Sequence, residues 1–279
     1  MVTRTHLEIF RRGSTTYFTS TLFFPSAVRD DVFVLYSFVR TADDFVDAVP
    51  QQAEAFHAFC DAYRNALSGE PAGDVVIDRF VDLVHRIGID PAWVEAFLFS
   101  MESDLSRSSY ATMADLDVYL YGSSEVIGLM MARVMDLPEA SHPAARALGK
   151  AMQFINFIRD IDEDLGLGRV YFPAEDLAAF GLHTLDPAEA RACPQAFARF
   201  IAFEIDRYLA WQREAEAGFA HIPPRLRIAV QTASDMYRWT ADEIRRDPLV
   251  VYERKIKPSR GRIVVRACVA ALAATGDPE

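Results

Sequence analysis

Gln153, Asn156, Asp160 and Asp164 recur every three or four positions. At about 100° per residue they fall within an arc of about 80° on one side of a helix. Phe154, Ile158, Ile161 and Leu165 lie on another side, so a polar stripe and a core stripe share the segment. Two carboxylates one turn apart, with amides above them, repel each other unless something positive sits between them, and a hard cation is what an all-oxygen donor set suits. A second stretch repeats the pattern. Tyr36, Arg40, Asp43, Asp44 and Asp47 occupy an arc of about 100°, with Leu35, Phe38, Ala42, Phe45 and Val46 roughly opposite. The bland alternative is a solvated acidic face, which would more typically mix Lys and Glu at i,i+4 spacing. These stripes instead combine Asp, Asn, Gln and Tyr with one Arg each, Arg40 and Arg159, beside long apolar flanks.

Helices must position both stripes. Pro25-Ser26 opens the helix of the first, and Pro50 stops it soon after Asp47. Val75 to Ile87 and Trp93 to Leu105 form two further helices, with Asp90-Pro91 as cap and first-turn proline of the second. Ala114 to Met135 is expected as one long apolar helix carrying Tyr119, Tyr121, Gly122, Ser123, Ser124 and Gly128. Ala144 to Leu165 is expected as one helix bearing the second stripe, ended by Gly166 and Gly168. Ala188 to Ala220 follows with a break near Pro194, and Pro223-Pro224 starts a helix to about Arg246. With no period-2 strand set and no repeat, the fold class is all-α, a bundle of roughly ten helices in a single domain over residues 1–279. Such bundles build metal sites in their cores from facing helices.

Composition narrows the partners. A net charge of −11 argues against nucleic acid, which needs Lys and Arg in surplus, so an anionic ligand has to be held locally. Cys60, Cys193 and Cys268 are odd in number, far apart and without a CxxC pair, which fits a reducing cytoplasm. No secretory signal pattern and no uncharged apolar run of ~18 residues is present, so a soluble protein is expected. The stretch from Ile263 to Ala273 is apolar apart from Arg266, and fits a packed terminal helix or a peripheral membrane contact.

Arg40-xx-Asp43-Asp44-xx-Asp47 and Gln153-xx-Asn156-xx-Arg159-Asp160-xx-Glu163-Asp164, followed by Gly168-Arg169-Val-Tyr171-Phe-Pro173, resemble the squalene and phytoene synthase family. The resemblance runs from about Ser14 to about Arg262. Tyr119-Leu-Tyr121-Gly-Ser-Ser-Glu-Val-Ile-Gly128 and Asp247 to Pro258 look most like phytoene synthases. It implies the isoprenoid synthase fold with a central cavity, and head-to-head condensation of two geranylgeranyl diphosphates through a cyclopropylcarbinyl diphosphate to phytoene, without NADPH. Squalene or dehydrosqualene synthesis from farnesyl diphosphate is the runner-up, and a non-catalytic scaffold on the same fold the third reading.

By the same resemblance Asp43, Asp47, Asp160 and Asp164, with Asn156, hold Mg²⁺, or Mn²⁺ as the alternative, bridging diphosphate oxygens. Gln153 lines the same pocket. Arg40 and Arg159 meet diphosphate or neighbouring acids, and Tyr36, Tyr119 and Tyr171 line the cavity, where ring faces stabilise a cation. Arg254 stands in a basic run with Arg245, Arg246, Lys255, Lys257, Arg260, Arg262 and Arg266, which closes over diphosphate, touches anionic lipid or is solvated. Thr21 lies where the family's tunnel begins, and its small side chain leaves room for a twenty-carbon chain, whereas Phe33 would shorten the tunnel if it pointed inward. Relatives often carry Lys in the segment that here reads Ser14-Thr15-Thr16, which leaves a basic contact there in doubt.

Competing families fit less well. Di-iron bundles want Glu-xx-His on two helices, but Glu139 to His142 is bracketed by prolines, and neither it nor Glu54 to His57 coincides with the stripes. Head-to-tail elongases repeat Asp-Asp-xx-Asp downstream, which Asp160-Ile-Asp-Glu-Asp164 does not do. Terpene cyclases want an Asn, Ser or Thr, and Glu triad, from which Arg159-Asp160 departs.

Overall fold

The computed structural model describes residues 2–274. Helices α1 (Arg4–Gly13) and α2 (Thr15–Thr21) lead into α3 (Ser26–Asp47), the long helix of the first stripe. It is followed by α4 (Ala53–Leu67), α5 (Val75–Ile87), α6 (Pro91–Ser103), α7 (Met113–Leu120) and α8 (Val126–Val134). The second stripe is on α9 (His142–Arg159) and α10 (Ile161–Gly166). Then come α11 (Ala174–Ala179), α12 (Pro187–Ala192), α13 (Pro194–Ala217), α14 (Pro224–Arg246) and α15 (Arg260–Ala274). No β-strand occurs among the described residues, only a single bridge between Ser109 and Val170. The all-α class expected from the sequence is what the chain adopts.

Caps act where the residue types require them. Asp74 accepts from the amides of Val76 and Ile77 at the start of α5, and Asp90 accepts from Ala92 ahead of Pro91 in α6. Among the described residues fifteen α-helical segments stand in place of roughly ten, partly because two runs expected to be continuous are divided. Residues 114–135 are interrupted by a π-helical turn at Tyr121–Glu125. Residues 144–165 break at Asp160, whose φ of −104° and ψ of 18° leave the helical region. Both interruptions adjoin the second stripe, the kind of place where π-turns and helix breaks recur.

Close backbone approach holds this part together. A Cβ on Gly122 would lie 2.1 Å from the carbonyl oxygen of Ala96 in α6. One on Gly128 would lie 2.0 Å from that of Ala145, and one on Gly149 2.2 Å from that of Ser124. Helices α6, α8 and α9 therefore touch peptide against peptide, which only glycine at those points permits. Around α3 the core is aromatic, with Phe38 fully buried and stacked on Phe80 at 3.9 Å between ring centroids.

A buried ion network ties α11 to α13. Arg207 Nη1 donates to Asp176 Oδ2 at 2.7 Å and to Glu204 Oε2 at 2.6 Å. Glu204 is fully buried, its Oε1 has no partner, and burial outweighs Arg207 to push its carboxyl up to about 8. The folded chain thus holds this proton more tightly than the unfolded one, so stability falls as pH rises from the ordinary glutamate range towards 8. Glu204→Gln is expected to flatten that decline. Thermal melts across pH should show the variant above wild type near pH 8 and level with it in acid, and identical profiles would refute the assignment.

Candidate active site

Helix α3 presents Arg40, Asp43, Asp44 and Asp47, while α9 and α10 present Gln153, Asn156, Arg159, Asp160 and Asp164. The charges of Asp160 and Asp47 both bear on Asp164, so the two stripes face each other. Most of the acids carry a cation from within the chain. Arg40 bridges Asp43 (Nη1 to Oδ2, 2.7 Å) and Asp44 (Nη2 to Oδ1, 2.5 Å). Arg159 binds Asp160 through two bonds, Nε to Oδ1 at 2.8 Å and Nη2 to Oδ2 at 2.5 Å. Lys255 Nζ lies 3.3 Å from Asp160 Oδ1 and pairs with Glu163 as well. Arg169 Nη1 donates to Asp47 Oδ1 at 2.7 Å.

The electrostatics separate the acids. Burial, and then the charges of Asp160 and Asp47, push Asp164 up to about 8, and it has no ion-pair partner among the described residues. Burial, and then Asp47, push Asp43 up to about 7 against the pull of Arg40. At Asp160 burial works the same way, but Arg159 and Lys255 prevail and hold its carboxyl below the usual carboxylate range.

Beneath the stripes is a third acid that the sequence did not single out. Asp104 accepts from Tyr119 Oη at 2.6 Å and from Tyr171 Oη at 3.1 Å, and burial pushes it up to about 6. Arg169 joins this group to α3: besides Asp47, its Nη2 donates to the carbonyl of Val46 at 2.6 Å. Gln51 adds bonds from Nε2 to the carbonyls of Val46 and Asp104 at 2.9 and 2.7 Å. Tyr171 also stacks on Phe157 at 4.1 Å.

Below the acids a cavity of about 270 Å³ runs into the bundle, walled by α2, α3, α8, α9 and α14. Tyr36, Gln153, Asn156 and Thr21 line it. Tyr119 and Tyr171, expected in the lining, are instead held outside it by Asp104, because burial of that carboxylate demands their hydroxyls. Phe33 is also outside; it packs on Phe18 and edge-on against Phe10. Tyr17 and Tyr237 meet near the mouth, ring centroids 5.5 Å apart, beside Arg159. Arg254 is exposed, and Lys255 is the residue of that segment that reaches the second stripe.

The sequence profile described as squalene/phytoene synthase matches residues 10–264. This chain belongs to the squalene/phytoene synthase family. Membership makes it an enzyme of prenyl transfer. Curated relatives in the family include the 15-cis-phytoene synthases of Synechococcus elongatus, 29% identical over 96% of this chain and 92% of that protein, and of Synechocystis, 30% identical over 89% and 78%. Among solved structures, squalene synthase HpnC from Alicyclobacillus acidocaldarius superposes with a TM-score of 0.76 at 26% identity, covering 88% of this chain and 94% of that one. A dehydrosqualene synthase solved with a ligand has the same fold, with a TM-score of 0.86 at 22% identity over 98% and 96%.

The donors in this family member fit a hard divalent cation. Every side chain of the facing stripes ligates through oxygen or is a guanidinium, and Asn156 Oδ1 is buried without a hydrogen-bond partner. Among the described residues no group of three or more Asp, Glu, His or Cys side chains is positioned to hold a metal ion by itself. A cation there needs oxygens from its ligand to complete its shell, which is how Mg²⁺ is commonly held with phosphates.

Proposed function

We propose that this enzyme is a phytoene synthase, condensing two geranylgeranyl diphosphates head to head and releasing both diphosphates. The observation that carries the reading is two acidic stripes facing each other above an apolar cavity. Asp43, Asp47, Asn156, Asp160 and Asp164 would hold Mg²⁺ or Mn²⁺, which supplies charge neutralisation of the leaving diphosphate. The chain's own residues do the rest. Arg40, Arg159 and Lys255 lie where a planar fork or an ammonium meets diphosphate oxygens once its acid partners turn to the cation.

In the first half, the C1–O bond of one substrate breaks and the diphosphate keeps the electron pair. The double bond of the second substrate attacks C1, and loss of a proton closes a cyclopropylcarbinyl diphosphate. In the second half, that diphosphate leaves, the ring rearranges, and loss of a second proton gives phytoene, so no reductant enters. Tyr36 and Tyr17 present ring faces to the cations, and the apolar wall keeps water from quenching them.

The second reading, squalene or dehydrosqualene synthesis, is favoured by the two solved structures just named. Incubation with fifteen- and twenty-carbon diphosphates, with and without NADPH, decides between them. The expected result is a forty-carbon polyene with a central conjugated triene from the twenty-carbon substrate without NADPH, and a product that forms only with NADPH would overturn it.

We also propose a cytoplasmic enzyme that touches a membrane peripherally to hand over its lipophilic product. Among the described residues no helix is long and apolar enough to cross one. Helix α15 exposes Val264, Val265 and Val269 near the basic Arg260 and Arg262. Co-sedimentation with vesicles rich in phosphatidylglycerol, weakened by Val265→Asp, is the expected outcome. Equal recovery with and without vesicles would exclude it.

A further inference from the structure

The cavity takes its direction from α9, which lines it at every turn from Asn156 down to Ala144. Those residues span about 18 Å of helix axis. An extended isoprenoid chain advances about 5 Å per five-carbon unit, four carbon–carbon bonds projected on its axis. Three units fit below Asn156 with slack, and four fit when the first carbon lies a turn higher, beside Asp160.

The lower end is closed by residues far from the acids. Gly218 packs on Ala144 so tightly that a Cβ there would lie 2.1 Å from that of Ala144. This fixes the 3₁₀ turn Gly218–His221 against the foot of α9. Phe219 from this turn and Ile222 just after it, with Met135 just past the end of α8, line the cavity at that foot. Thr21 lines the cavity too, from α2, one helical turn, about 6 Å, from Tyr17.

We propose that the chain-length limit is set by the floor of Met135, Phe219 and Ile222 at the foot of α9. This rests on the prenyl diphosphate reading of the site. It makes Phe219 a specificity residue of the enzyme although it touches none of the acids.

The test measures calorimetric binding of non-ionisable prenyl diphosphate analogues of ten to twenty-five carbons, in Mg²⁺, to the full chain. Wild type is expected to bind the twenty-carbon analogue best and the twenty-five-carbon one at least about tenfold more weakly. Phe219→Ala should bring these two together, and Met135→Ala serves the same purpose if the first variant melts early. Leu148→Trp fills the axis about 12 Å below Asn156 and should move the optimum to fifteen carbons or fewer. Absence of binding at every length overturns the prenyl diphosphate reading itself. Binding whose optimum stays put in both floor variants, at unchanged melting temperature, overturns the floor.

Discussion

Asp160→Asn and Asp43→Asn are each expected to lower turnover by roughly 10²–10³-fold and to leave the fold intact. Each removes a charge from a stripe that has to bind a cation together with a diphosphate, so the loss falls on the ionisation step, where charge develops on the leaving group. The fold should survive because asparagine keeps the shape of the acid and its carbonyl oxygen can still accept from Arg159 or Arg40, although its NH2 cannot. At Asp43 the change also removes repulsion from Asp47, the like charge that bears on it most. Steady-state rates at saturating Mg²⁺, with circular dichroism of the same samples, check both halves. A chelator in excess should abolish turnover of wild type and Mg²⁺ should restore it. Rates within a few fold of wild type in either variant would remove these acids from the cation site.

Arg169→Leu is expected to be the most destabilising change near the site, by about 3–5 kcal/mol, because it strands buried partners that its guanidinium now serves. Its side chain is 6% exposed and connects Asp47, the Val46 carbonyl and, at 3.4 Å, the Asp104 carbonyl. At about 2–4 °C per kcal/mol for a chain of this size, the melting temperature should fall by at least about 6 °C. Turnover should fall too, since Asp47 loses the group that aims it. Arg169→Lys keeps the charge but not the fork, and should recover part of the stability and less of the rate. A melting temperature unchanged in Arg169→Leu would mean that Asp47 and Asp104 are held by something else.

Local periodicity made the stripes legible, because it needs no knowledge of what packs where. The bounds of α3 and α5 follow from the prolines and caps that delimit them. The break at Asp160 was not legible: apolar positions keep their spacing through a single non-helical residue, so Phe154, Ile158, Ile161 and Leu165 look like one uninterrupted face. The π-turn at Tyr121–Glu125 carries Gly122 close against the carbonyl of Ala96, an approach between segments distant in sequence. Asp104 was invisible for the same reason. An acid at the end of an ordinary amphipathic helix carries no signal until Tyr119, Tyr171 and Arg169 are brought round it. Lys255 stood in a basic run in which only the fold tells one cation from the next.

Because the acids come with counter-ions built into the chain, ligand capture under the proposed reading would be a double exchange. An arriving cation would draw a carboxylate from an arginine, and the freed guanidinium would be available to the diphosphate that accompanies the cation. The metal without diphosphate would leave Arg159 without its carboxylate and Arg40 with Asp44 alone, and the diphosphate without metal would compete with acids already bonded to both arginines. Metal and diphosphate should therefore bind with strong positive heterotropic coupling, each raising the other's affinity by the same factor.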